Sequence, residues 1–72
     1  MAIHKFTVYK IMKEAGAKKV SDDAAALLAR YLEKVAKEIT RHAIKVAEQA
    51  NRITVKERDI RLVLEIRGEW VD

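Results

Sequence analysis

The chain has 72 residues, and its 15 Lys and Arg side chains exceed its 11 Asp and Glu side chains, which gives a formal net charge of +4 at pH 7. It contains no cysteine, which excludes a disulfide framework and a cysteine zinc finger. No apolar run approaches the ~20 residues of a membrane span, and the start M-A-I-H-K-F is unlike a signal peptide. We therefore expect one small intracellular domain over residues 1–72, with its core between about residues 7 and 67.

The first predicted element is a short amphipathic helix. Thr7 is the expected N-cap, V-Y-K-I-M-K-E-A (8–15) supplies two turns, and Gly16 suits the left-handed position that ends a helix. His4 is expected to lie in a frayed terminus before this helix. The segment A-K-K-V (17–20) is predicted to form the first loop.

The second predicted element is a long helix. Ser21 is the expected N-cap, Asp22 and Asp23 lie in the first turn, where the helix dipole favours negative charge, and nothing stops the helix before Asn51. Apolar residues recur at the three-four spacing of a helix face, at Ala24, Leu27, Leu28, Tyr31, Leu32, Val35, Ile39, Ala43, Val46, Ala47 and Ala50.

The length of this helix indicates a dimer. About 29 residues at ~1.5 Å each give a helix roughly 43 Å long, whereas a compact globule of this size has a diameter of only about 30 Å. Two short helices cannot cover the apolar face of such a helix. We therefore predict an all-α fold with short, long and short helices, which forms an intertwined homodimer.

The third predicted element follows the stretch N-R-I-T-V-K-E-R-D (51–59). Thr54 and Glu57 have the spacing of a capping box, so a helix is expected from Val55 to about Arg67, with Gly68 closing it.

Two features of the charge pattern bear on function, an ion pair that would hold the loop before the third helix and the position of the net positive charge. Asp59 lies in the second turn of the third helix, within reach of Arg52, and an ion pair between them would hold the second loop still. The whole positive excess lies in residues 1–20, which carry five lysines and one glutamate. A basic excess of this kind fits a nucleic-acid partner.

Three segments in register resemble the histone-fold family: A-G-A-K-K-V-S-D-D-A (15–24), A-I-K-V-A (43–47) and R-I-T-V-K-E-R-D-I (52–60). The last segment has the R-x-T-x-x-x-x-D pattern of that family, and the likeness covers residues 7–67. With no long tails, the chain is similar to an archaeal-type histone. The resemblance implies double-stranded DNA as the partner and a cytoplasmic location on the chromosome or nucleoid.

The resemblance also implies a DNA-binding surface. In histone dimers the first loop of one chain lies beside the second loop of the other, and the pair grips the DNA backbone. The two first helices lie near the dyad. Contacts of this kind predict weak sequence preference. The implied DNA-binding residues are Lys10, Lys13, Lys18, Lys19, Arg52, Thr54 and Lys56.

Some positions depart from the family pattern. Lys10 and Lys19 stand where archaeal histones usually have arginine, and Ile53 stands where a basic residue is common. At the surface that joins dimers into tetramers or larger assemblies, this chain has Val46, Gln49 and Leu62. Gln49 takes the place of a histidine, so we expect weaker polymerisation. A heterodimer with a related histone is a further possibility. Trp70 is expected either to cap the core or to serve a contact between dimers.

No enzymatic site is expected. Ser21 is a helix cap rather than a nucleophile, and no catalytic residue, metal-ligand cluster or glycine-rich phosphate loop stands out. The sequence therefore predicts no metal, cofactor, small-molecule substrate or membrane partner. The alternative function is a histone-fold dimerisation subunit of a larger protein complex, in which DNA contact is incidental. The charge concentrated in residues 1–20 favours the DNA-binding protein.

Overall fold

A computed structural model of the chain describes residues 3–69. Within this range it has three α-helices and no strand: α1 (Lys5–Glu14), α2 (Asp22–Gln49) and α3 (Glu57–Arg67). The all-α fold with short, long and short helices is therefore confirmed. Trp70, and the roles predicted for it, lie outside the described residues. No helix in residues 3–69 has the length and apolar character needed to cross a membrane.

Helix α1 begins three residues earlier than predicted. Its N-cap is His4, whose Nδ1 accepts a hydrogen bond from the backbone N–H of Phe6 at 3.3 Å. An imidazole nitrogen can serve here because the free amides of a first turn only require a nearby acceptor. The predictions that Thr7 caps the helix and that His4 lies in a frayed end are therefore wrong. Gly16 follows the helix with a φ of +115°, as predicted.

Helix α2 begins where the sequence predicts and ends at Gln49, one residue earlier than predicted. The Ser21 Oγ accepts a hydrogen bond from the backbone N–H three residues later, at 3.1 Å. At the other end Asn51 has a φ of +59°. Its N–H donates to the Glu48 carbonyl and the Arg52 N–H donates to the Ala47 carbonyl, each at 2.9 Å. These two bonds form a Schellman motif in which asparagine takes the left-handed position that glycine usually fills.

Helix α3 begins two residues later than predicted. Its N-cap is Lys56, whose backbone N–H donates to the Asp59 Oδ2 at 2.8 Å. The predicted capping box between Thr54 and Glu57 is therefore wrong. Asp59 follows Lys56 by three residues, as Glu57 follows Thr54. The Asp59 carboxylate is in addition held at the helix start by Arg52. Sequence spacing alone could not decide between the two arrangements.

The described residues fall into two compact units, the first ending at Val35 and the second beginning at Ala36, so α2 contributes to both. The buried apolar side chains are Val8, Ala25 and Ala29 in the first unit and Ala43, Ala47 and Val63 in the second. In the second unit the Arg67 Nη1 lies 4.0 Å from the Glu38 Oε2, which links α3 to α2.

The buried core of residues 3–69 is small, since it consists of alanine and valine. Eight larger apolar side chains are at least 41% exposed: Phe6, Ile11, Leu27, Tyr31, Ile44, Ile53, Leu62 and Ile66. Leu27 and Tyr31 lie nearly opposite Ala25 and Ala29 on α2, because residues two apart are about 200° apart around a helix. The first half of α2 is therefore apolar on two sides, and a single chain buries one of them.

Candidate nucleic-acid interface

The second loop, residues 50–56, is held by an ion pair between Arg52 and Asp59. The Arg52 Nη1 lies 2.8 Å from the Asp59 Oδ2, and the Arg52 Nη2 lies 2.7 Å from the Asp59 Oδ1. The Asp59 side chain is 1% exposed and the Arg52 side chain 18% exposed. Two parallel hydrogen bonds fix the plane of the guanidinium as well as its position.

The same two side chains hold the loop backbone. The Arg52 Nη1 also donates to the carbonyl oxygen of Thr54 at 3.1 Å. The Asp59 Oδ2 accepts the Lys56 N–H as well as the arginine. The loop is thus tied at Arg52, Thr54 and Lys56, and helix α3 begins from a fixed point.

The ion pair also sets the charge states of its members. The Arg52 guanidinium, helped by the Lys56 N–H, holds the pKa of Asp59 far below its ordinary value of 3.8. The hydrogen bond to Asp59 in turn raises the pKa of Arg52. Opposite charges in hydrogen-bond contact each favour the ionised form of the other. Both groups therefore remain charged at neutral pH.

This geometry leaves Arg52 little freedom to bind a ligand directly. Its two Nη atoms already make three hydrogen bonds, and its Nε is buried without a hydrogen-bond partner within residues 3–69. A planar guanidinium in this state cannot turn towards solvent without breaking the pair. The geometry therefore shows that Arg52 positions the loop, while its contact with DNA stays a prediction.

Two of the predicted binding residues in this loop, Thr54 and Lys56, are exposed to solvent. Beside them, Lys56, Glu57, Arg58 and Arg61 line an open hollow at the start of α3. Arg58 and Arg61 were not predicted from the sequence as site residues. The sequence K-E-R-D-I-R (56–61) already contains these three basic residues, but only the structure shows that all three line one hollow. Arg61 is in addition paired with Glu57.

The first unit contains the other four predicted binding residues. Lys10 and Lys13 are exposed on α1, and Lys18 and Lys19 are exposed in the first loop, residues 15–21. The Lys13 Nζ donates to the carbonyl oxygen of Lys18, which links the helix to the loop. The candidate site therefore has two parts, four lysines in the first unit and Arg52, Thr54 and Lys56 in the second.

The residues predicted to join dimers all lie in the second unit. Gln49 is exposed, Leu62 is 42% exposed, and Val46 is half-buried. These three side chains therefore form a mixed apolar and polar surface that another protein chain can contact. Within residues 3–69 no group of three or more His, Cys, Asp or Glu side chains is arranged to hold a metal ion.

Comparison with known proteins gives the family. Residues 2–64 match the family described as histone-like transcription factor (CBF/NF-Y) and archaeal histone. Over 55 residues, 76% of this chain and 82% of the relative, the sequence is 46% identical to one of the subunits of archaeal histone HAN1 of Thermococcus zilligii. With the same coverage it is 42% identical to probable archaeal histone 3 of Methanocaldococcus jannaschii. The chain therefore belongs to the histone-fold family that contains the archaeal histones.

Proposed function

We propose that this chain is an architectural protein of the chromosome, which binds duplex DNA without sequence preference and bends, wraps or compacts it. Membership of the histone-fold family supports a DNA-binding architectural role in general. The observation that carries the finer proposal is the second loop, whose backbone the Arg52–Asp59 pair holds at two points, the Thr54 carbonyl and the Lys56 N–H. No enzymatic activity is proposed.

A rigid loop suits a phosphate better than a base edge. The Thr54 hydroxyl and the Lys56 side chain stand on a backbone that is already ordered, so little conformational freedom is lost when they bind. Phosphates repeat along the duplex whatever its sequence, and contacts to them set the register of a protein without reading bases. In this proposal Arg52 and Asp59 position the loop, while Thr54 and Lys56 contact the DNA backbone.

The four lysines of the first unit supply the attraction. Lys10, Lys13, Lys18 and Lys19 are exposed and belong to the part of the sequence that holds the whole charge excess. Neutralising phosphates releases condensed counterions, and this release is the main source of non-specific affinity for DNA. The same source makes binding sensitive to salt.

We propose that the functional unit is an intertwined homodimer of single histone-fold domains. The support is the small alanine and valine core beside the exposed Leu27 and Tyr31. Exposed apolar side chains in such numbers favour burial against a second chain. Dimers would join into tetramers or larger assemblies through Val46, Gln49 and Leu62, and a related histone could replace one partner.

A second candidate is a dimerisation subunit of a larger protein complex. The family description includes histone-like transcription factors as well as archaeal histones, and the exposed apolar side chains suit a protein partner equally well. The lysines of the first unit favour the DNA-binding protein, because a dimerisation subunit has no need of them.

The experiment that separates the two candidates is a salt titration of duplex binding. If the chain binds the DNA backbone, log K falls linearly with log salt, with a slope near −0.9 for each neutralised phosphate, and duplexes of unrelated sequence behave alike. Flexible duplexes should bind more tightly than stiff ones of equal length, because bending them costs less. Absence of duplex binding at low salt would reject the proposal and favour the second candidate.

A further inference from the structure

Helix α1 has two faces of different chemistry. At about 100° per residue, Phe6, Tyr9, Lys10 and Lys13 fall within one arc of roughly 100°. Val8, which is fully buried, lies on the opposite side. The outward arc, called here the aromatic–basic face, contains no other residue of the helix and no acidic side chain.

The side chains of the aromatic–basic face are ordered by one another. The rings of Phe6 and Tyr9 are nearly parallel, with planes 8° apart and centroids 6.5 Å apart. The Lys10 Nζ lies 4.9 Å from the Phe6 ring centroid, and the Lys13 Nζ lies 5.9 Å from the Tyr9 ring centroid. Phe6 is 58% exposed. Each ring is thus accompanied by a cation one helical turn further along.

Aromatic rings and cations in alternation suit a ligand that carries flat rings and negative charges in alternation. A single nucleic-acid strand is such a ligand, because its bases are unpaired and their faces are free to stack on aromatic side chains. In a duplex the base faces are covered by their neighbours, so neither the exposed Phe6 ring nor the half-buried Tyr9 ring gains a stacking contact there. The flexible lysine side chains can leave the rings for the phosphates as bases take their place.

We propose that the aromatic–basic face binds single-stranded nucleic acid, with bases stacked on Phe6 and Tyr9 and phosphates bound by Lys10 and Lys13. This function goes beyond duplex binding. It shares two lysines with the duplex site but makes no use of the second loop. Since the rings contact the base and not the sugar, DNA and RNA strands should bind with similar affinity.

A second copy of the chain is a poorer occupant of this face. Two copies brought together here would oppose lysine to lysine without an acidic side chain between them, and like charges in contact are unfavourable. Ile11 is 51% exposed and lies about 140° from Phe6 around α1, so an apolar position for a second copy exists elsewhere on the same helix.

The test compares two strands that differ only in their bases. Fluorescence anisotropy of the full chain would measure affinity for a short oligothymidylate and for an abasic strand of equal length, and an oligouridylate would show whether the sugar matters. Base stacking predicts that oligothymidylate binds roughly tenfold more tightly than the abasic strand. The same measurement on a duplex serves as the reference.

Three variants assign the preference to the rings. In the double variant Phe6→Leu with Tyr9→Leu, which keeps apolar helix-forming side chains, the ratio of the two affinities should fall towards one. Duplex affinity should stay within about twofold, because the phosphate contacts remain. Phe6→Trp should raise the ratio. The control His42→Leu removes an exposed ring-bearing side chain of α2, outside the face, and should leave the ratio unchanged.

Several results would overturn the inference. They are a wild-type ratio near one, a ratio that survives in the double leucine variant, and an equal loss of strand and duplex binding in that variant. Loss of helix or dimer in the double variant, with no gain from Phe6→Trp, would also overturn it, since the rings would then belong to a protein contact. A wild type that keeps the strand preference but does not bind duplex would support this inference and reject the duplex proposal alone.

Discussion

The two loops of this molecule are built in opposite ways. The first loop, residues 15–21, lies in the part of the sequence that holds the entire charge excess, and it exposes Lys18 and Lys19. The second loop, residues 50–56, lies where acidic and basic side chains balance, yet the Arg52–Asp59 pair holds its backbone at two points. The first loop is therefore positively charged, and the second loop is held in a fixed conformation.

This difference separates two contributions to DNA binding, electrostatic attraction and fixed geometry, which the net charge alone does not distinguish. Exposed lysines attract a polyanion over the distance of a Debye length and need no fixed geometry. The second loop adds little charge, but it holds Thr54 and Lys56 at fixed positions. We therefore expect changes in the first loop to alter affinity and salt dependence, and changes in the second loop to alter stability first and affinity as a consequence.

The largest effect is expected from removing the Asp59 carboxylate. Asp59→Ala leaves the Arg52 guanidinium largely buried without its partner and frees the start of α3, so the thermal midpoint should fall by on the order of 10 °C. Calorimetry or circular dichroism would measure it. Glu65→Ala, which removes an exposed acidic side chain from the same helix, is the control and should have a small effect. An unchanged thermal midpoint in Asp59→Ala would mean that the Arg52–Asp59 ion pair contributes nothing to stability.

Arg52→Ala separates the two roles of the arginine. It should destabilise the chain as Asp59→Ala does, because it breaks the same pair. If Arg52 also contacts a phosphate, duplex affinity should fall further in this variant than in Asp59→Ala. Equal losses in both variants would leave Arg52 with a positioning role alone, which is the result that its buried Nε favours.

Acid should act on the second loop through the same carboxylate. The pKa of Asp59 is lowered in the folded state, so the stability it contributes is fully present above its unfolded pKa of 3.8 and is lost as the pH falls towards the folded pKa. Below about pH 4 the wild type should therefore lose stability more steeply than Asp59→Asn, which has no proton to gain at this position. Urea midpoints across this range would measure it. Parallel curves for the two proteins would contradict the assignment.

A smaller effect, on affinity and not on folding, is expected in the first loop. Lys18→Ala with Lys19→Ala should weaken duplex binding roughly tenfold at low salt and reduce the salt slope by about 0.9 for each phosphate that is no longer neutralised. The decrease should be similar for unrelated sequences. Lys34→Ala with Lys45→Ala, which removes the same charge from exposed positions of α2, is the matched control. Equal decreases of duplex affinity in the two double variants would show that the total charge of the chain determines affinity and that the first loop is not a binding site.

The smallest effect is expected where α2 turns into the second loop. Asn51 has a φ of +59°, so Asn51→Ala should cost about 1 kcal/mol of folding free energy, while Asn51→Gly should be neutral or slightly stabilising. Chemical denaturation would measure both. If alanine were tolerated as well as glycine, the left-handed residue would not be what fixes the entry into the loop.

The course of the chain was largely readable from the sequence, because its helix ends carry strong local signals. Ser21 marks the start of α2, and Gly16, Asn51 and Gly68 mark helix ends, since few residue types tolerate the left-handed conformation. The other two starts could not be read from local spacing alone. The N-cap of α1 is His4, whose ring nitrogen accepts the hydrogen bond that a side-chain oxygen usually accepts. At the start of α3, Thr54 with Glu57 and Lys56 with Asp59 have the same three-residue spacing.

The site was readable in part. Arg52 and Asp59 could be paired from the R-x-T-x-x-x-x-D spacing, but neither the two parallel hydrogen bonds nor the contact with the Thr54 carbonyl follows from it. Arg58 and the ring contacts of α1 were missed for another reason. Phe6 lies before the predicted start of α1, so its contact with the Tyr9 ring could not be expected. Arg58 lies inside the predicted α3, but sequence spacing does not show which side chains line a common hollow.

Sedimentation of the chain with and without duplex DNA tests the proposed DNA-binding dimer most directly, because it reports assembly and binding together. We predict a folded species of twice the 8.2 kDa chain mass, with no folded monomer, and co-sedimentation with duplex of any sequence at low salt that disappears at high salt. A folded monomer of 8.2 kDa that sediments apart from duplex DNA at low salt would contradict it.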